Sequence, residues 1–127
     1  MEANELRIGN YANHSELGIV EIIAVGRDYI YCVYNGETFY ESIGRFSPIP
    51  LSEEWMLKFD FDPTANNLFY HKNIQIEKQK NTFNLRFVNP DFTTSSLRRI
   101  KYVHQLQNLF FALKGKELTI NVYYHLL

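Results

Sequence analysis

The sequence predicts an α+β fold, and three observations carry that expectation. Tyr29 to Tyr34 is a run of β-branched and aromatic residues that stops at Asn35-Gly36, a pair that tolerates positive φ in a two-residue hairpin turn. Phe83, Leu85 and Phe87 alternate with Thr82, Asn84 and Arg86, the period-2 pattern of a sheet wet on one face. Tyr102, Leu106, Leu109, Phe110 and Leu113 fall instead at i, i+4, i+7, i+8 and i+11, one apolar stripe of a helix. At 127 residues the length prior gives a single domain over 1–127, with two groups of short antiparallel strands packed with two helices.

The elements follow in chain order. Leu6, Ile8 and Asn10 alternate with Arg7 and Gly9 as a first strand, and Ile19 to Val25 is a second. Gly26-Arg27-Asp28 signals a turn, then Tyr29 to Tyr34 pairs across Asn35-Gly36 with Thr38 to Tyr40. Short, twisted strands at this spacing over 1–50 lead us to expect an SH3-like half barrel. Pro48 and Pro50 break the pattern, and 52–59 reads as a short helix. Ser52 caps it, Glu53 and Glu54 suit the positive end of its dipole, and Leu51 can staple to Met56. The full capping box is absent because Trp55 stands where its acid would be. A loop at 60–67 leads into a β-meander over 68–100, with strands at Leu68–Tyr70, Ile74–Gln79, Thr82–Val88 and Leu97–Ile100. Lys78 and Arg86 are expected to share its wet face.

The helix at 102–113 has no charged residue among its twelve. Neutral amides on a partly apolar back predict burial between two layers, with an interface as the alternative. Gly115 suits a left-handed C-cap, and 117–124 alternates as a closing strand. The chain shows no internal repeat, low-complexity tract or linker.

Composition narrows the function classes. Hydrophobic residues make up 46% of the chain and charged ones 21%, which excludes a disordered tail; 20 aromatic side chains amply fill a small core. A lone Cys32 forms no intramolecular disulfide, and no run approaches the roughly 18 apolar residues of a membrane span. A reducing, cytoplasmic setting without membrane contact is expected.

The search for chemistry returns little. His14, His71, His104 and His125 belong to no HxxxH, HExxH or CxxC pattern, so no metal is expected. Cys32 sits in an apolar strand, where a thiol is an inert small hydrophobe. Glu53-Glu54 diverge by about 100° around a helix, and Asp60-Phe61-Asp62 lacks the glycine and distant glutamate of a calcium loop. No GxGxxG, Walker loop or GxSxG occurs, so no cofactor is expected. An enzyme would have to be built on His104 or His71, each needing a cleft and an orienting partner.

Charge is more informative. Residues 1–62 hold eleven acids and four bases, whereas 71–101 hold seven bases and two acids. Lys72, Lys78, Lys80, Arg86, Arg98 and Arg99 are the candidate partner-binding residues, with Phe69, Tyr70 and Phe92 nearby as stackable rings for single-stranded RNA or DNA. A sequence pI near 6.4 argues against dominant nonspecific nucleic-acid binding.

Glu5-Leu6-Arg7-Ile8-Gly9-Asn10, the stretch Phe46 to Trp55 and the stretch Ile100 to Leu118 together resemble, in order and over nearly the whole chain, a recurring group of small proteins of Bacteroidetes phages and prophages. The resemblance implies a mobile-element setting, in which small proteins act by binding and anti-CRISPR inhibitors are one class. It assigns no catalytic residue. The resulting expectation is a noncatalytic accessory protein that binds a host protein or ribonucleoprotein, a CRISPR effector among them, with direct nucleic-acid binding as the alternative.

Overall fold

The computed structural model describes residues 1–120 and is α+β: two five-stranded antiparallel sheets with two helices, α1 (Glu53–Lys58) and α2 (Val103–Lys114). Two compact units share them. Met1–Pro50 and Tyr102–Glu117 form the first; Leu51–Lys101 and residues 118–120 belong to the second. The chain leaves the first unit after Pro50 and returns at Tyr102, and these two residues are bridge partners, with Val103 N–H donating to Ile49 C=O at 2.9 Å.

In the first unit, β1 (Tyr11–His14), β2 (Gly18–Val25), β3 (Tyr29–Tyr34), β4 (Glu37–Ser42) and β5 (Phe46–Ser47) stand in the order β4-β3-β2-β1-β5. The Asn35-Gly36 turn forms as the sequence predicts, with φ of 51° and 77°. Inward positions close on Ala12, Val20, Ile22, Ile30, Cys32 and Phe46, all buried. The sheet is curled: His14 Nε2 on β1 lies 3.5 Å from Glu41 Oε1 on β4. Three strand spacings in a flat sheet would separate those strands by about 14 Å. It is also open, since β4 and β5 form no ladder with each other among the described residues.

The expected first strand is corrected. Residues 6–10 lie in no strand; Gly9 N–H and Asn10 C=O bond to Ile22 of β2, and α2 takes others of the segment's polar groups. Gln107, 1% exposed, accepts from Tyr11 N–H at 2.9 Å and donates to Gly9 C=O at 2.9 Å. Asn108 donates to Glu5 C=O and accepts from Asn10 Nδ2 at 2.8 Å. Arg7 pairs with Glu117 and lies 4.3 Å from the Phe111 ring centroid. The neutral back of the helix thus has a use: its amides bond backbone groups of Glu5, Gly9 and Tyr11. Its buried face runs through Val103, Leu106, Gln107 and Phe110, while Leu113, expected in the stripe, is exposed. Gly115 ends it at φ 67°, its N–H donating to Phe111 C=O.

The second unit is a meander of β6 (Asp62–Pro63), β7 (Leu68–His71), β8 (Ile74–Lys78), β9 (Phe83–Val88) and β10 (Thr94–Ile100), each paired with its sequence neighbour. Ser52 caps α1 as expected, its Oγ accepting from Trp55 N–H at 3.3 Å, and Trp55 and Met56 are buried. Phe69, Ile74, Ile76, Phe83, Leu85 and Ile100 supply buried apolar surface from the strands. Of the expected closing strand at 117–124, residues 117–120 are in no strand and 121–124 lie outside the described residues.

Candidate functional site

The register of the second sheet decides where its bases stand, because directly opposed residues share a face. One row reads Lys78, Phe83, Ile100; the next Glu77, Asn84, Arg99; then Ile76, Leu85, Arg98; then Gln75, Arg86, Ser96. Lys78 is therefore on the face of Ile74, Ile76 and Phe83, and Arg86 is on the opposite one, which corrects the expectation that they share the wet face. The alternation Ile74, Ile76, Lys78 already carried that signal. On β10 a bulge at Leu97 puts Ser96 and Arg98 on different faces, and ordinary alternation then puts Arg98 and Arg99 on different faces.

Arg86 is consumed by its own sheet. Nη2 donates to Glu77 Oε1 at 3.1 Å and Nη1 to Gln75 Oε1 at 3.3 Å, while Gln75 Nε2 donates to Tyr70 Oη at 2.7 Å. Lys72 stands apart in the β7–β8 turn, at the other end of the sheet from the β8–β9 turn that carries Lys80. The remaining four, Lys78, Lys80, Arg98 and Arg99, gather toward that β8–β9 end. Lys78 Nζ pairs with Glu53 Oε1 at 3.0 Å, whereas Lys80, Arg98 and Arg99 are exposed and have no ion pair among the described residues. An open cleft of about 230 Å³ lies here, lined by Ser52, Glu53, Lys78, Lys80, Asn81 and Phe83 among others. Of the stackable rings, Phe69 is buried and Phe92 is 88% exposed, at the far end with Lys72.

Three of the four histidines lie among the described residues. Buried His14 accepts from Glu16 N–H and Leu17 N–H at Nδ1, at 3.1 and 3.2 Å, so its proton is on Nε2 toward Glu41. His104, 3% exposed, stacks on Tyr102 with ring centroids 5.9 Å apart; its Nε2 lies 3.8 Å from Glu5 Oε2. Burial pushes its pKa below the ordinary imidazole range, partly opposed by Glu5. His71 stands against Phe61, ring centroids 5.2 Å apart, and His125 lies outside the described residues. Burial, then Glu41, pushes the Cys32 thiol up, the reverse of nucleophile activation. Among the described residues no group of three His, Cys, Asp or Glu side chains is placed to hold a metal ion.

The sequence reading missed the outer face of the first sheet. Tyr29 and Tyr40 stack at 4.7 Å and 7°, Tyr31 meets Tyr40 at 4.7 Å and 50°, and the three are 46%, 53% and 43% exposed. Ile19 and Ile23, also exposed, alternate onto that face from β2, with Glu21 between them. The signal was the alternation of Tyr29 and Tyr31 with buried Ile30 and Cys32. No protein-family model, curated protein or solved structure matches this chain, so its function is argued from these side chains alone.

Proposed function

We propose that this is a noncatalytic protein that acts by binding a macromolecule of a bacterial host, the setting implied by its resemblance to phage and prophage proteins. The basic β8–β9 end of the second sheet is the contact surface. The observation that carries this reading is the exposure of Lys80, Arg98 and Arg99 without ion pairs among the described residues, beside Lys78. The Lys78–Glu53 pair is exposed and worth little, so Lys78 exchanges partners at low cost. In this reading the partner presents an anionic surface, and inhibition of an RNA-guided nuclease would proceed by occlusion or by altered engagement of its guide RNA.

The test is capture from host lysate, identification by mass spectrometry and reconstitution with the purified partner. Lys80→Glu with Arg98→Glu and Arg99→Glu should abolish the reconstituted complex while leaving the melting curve nearly unchanged. A complex that survives this triple reversal refutes the surface. Direct nucleic-acid binding is the second reading, favoured by the same unpaired cations. Gel shifts across a salt series separate the two, because phosphate contacts weaken steeply as salt rises.

A further inference from the structure

The first unit presents a surface of opposite character. Five of its large apolar or aromatic side chains, Ile19, Ile23, Tyr29, Tyr31 and Tyr40, are exposed on one sheet face, and no hydrogen bond holds the three tyrosine hydroxyls among the described residues. A sheet that meets only water on one face normally carries polar side chains there. Stacked rings instead offer flat, electron-rich faces.

Charge selects what these rings would receive. Between Gly18 and Ser42 the chain carries Glu21, Asp28, Glu37 and Glu41 against a single base, Arg27. Glu41 turns inward to His14, but Glu21, Asp28 and Glu37 are exposed and make no ion pair among the described residues. Glu21 shares the outer face, opposite Val33 on β3 and Tyr11 on β1. Phosphates are repelled by such a surface, whereas a cation over a tyrosine ring is attracted by both the ring and the carboxylates. Of the two cationic side chains, the planar guanidinium stacks on a flat ring and bonds a carboxylate through two N–H groups at once.

We propose that the Tyr29–Tyr31–Tyr40 face is a second binding site, and that it takes an arginine-bearing extended segment of a partner protein. Guanidinium groups stack on the tyrosine rings, with Glu21 as the nearest carboxylate on the same face. This site is separate from the basic one and stands whether or not that reading holds.

The experiment uses the full chain, with aromatic ¹³C resonances of the tyrosines followed by NMR. The probes are a capped extended peptide with arginine at alternating positions, the same peptide with citrulline in place of arginine, and a single-stranded RNA. The arginine peptide should shift Tyr29, Tyr31 and Tyr40 rings selectively. Citrulline substitution and Glu21→Gln should each weaken binding by about threefold to tenfold, the scale of exposed cation–π and charge contacts. Tyr31→Leu with Tyr40→Leu keeps apolar volume but removes the rings and should abolish the effect; its melting curve shows that the sheet is intact. If the citrulline peptide binds equally, the guanidinium assignment is wrong. RNA shifting the same rings, or no ring shift at millimolar peptide, overturns the site.

Discussion

Phe92 is the residue whose backbone and side chain disagree most with solvent. Its φ is +68°, a region that costs a bulky L-residue about 1–2 kcal/mol, and its ring is 88% exposed, so no burial offsets that cost. The turn is held by others: Asp91 Oδ1 accepts from Thr93 N–H and Oγ1, Asn89 Nδ2 donates to Thr93 Oγ1 and Ser95 Oγ, and the bonds from Thr93 keep the Asp91 carboxyl below its usual range. Phe92→Gly should therefore raise unfolding stability by about 0.5–1 kcal/mol in urea, the lost strain exceeding the added freedom of the unfolded chain. His104 gives a pH dependence. Its folded pKa is depressed by burial, so the unfolded chain takes up the proton first as pH falls below about 6.5. Stability held above that pH is lost as pH drops toward the folded pKa. Denaturation midpoints of His104→Gln should be flatter over that window than those of the native chain; equal slopes would show that another group titrates there.

Among elements, α2 joins distant parts of the first unit through side-chain amides. Gln107→Leu keeps the volume but strands Tyr11 N–H and Gly9 C=O, and should cost about 2–4 kcal/mol by chemical denaturation. A loss below 1 kcal/mol would mean that water replaces the amide. Local signals made several elements legible: Asn35-Gly36 for the hairpin, Ser52 for the start of α1, Gly115 for the end of α2, and Phe83, Leu85 and Phe87 for β9. What was hidden depends on pairing. That 6–10 lies against α2 rather than in a strand turns on bonds spanning about a hundred positions, and the face that Arg98 takes, opposite to that of Ser96, turns on one bulged residue. The candidate basic residues were named from composition, which counts charge without parity. Parity placed Arg86 beside Glu77, with which it pairs, while Lys80 in the β8–β9 turn and Arg98 and Arg99 on β10 are exposed.

At the scale of the molecule, the charge asymmetry is sharper along the sequence than between the two units, though its sign carries over to them. Met1–Pro50 with Tyr102–Glu117 holds eight acids and five bases; Leu51–Lys101 holds six acids and eight bases. The first unit carries the stacked tyrosines, and the second carries Lys80, Arg98 and Arg99, which have no ion pair among the described residues. Pro50 and Tyr102, where the chain departs and comes back, sit side by side as bridge partners. In that arrangement residues 51–101 are a guest segment spliced between neighbouring ends of a host fold, and residues 118–120 belong with that guest unit too. Excising 51–101 and closing the gap with a few glycines and serines should leave a cooperatively melting protein with the far-ultraviolet signature of a curled sheet and one helix. A non-cooperative melt would mean that the host cannot stand without its guest. If it does stand, the segment between those two residues can be exchanged without refolding the host.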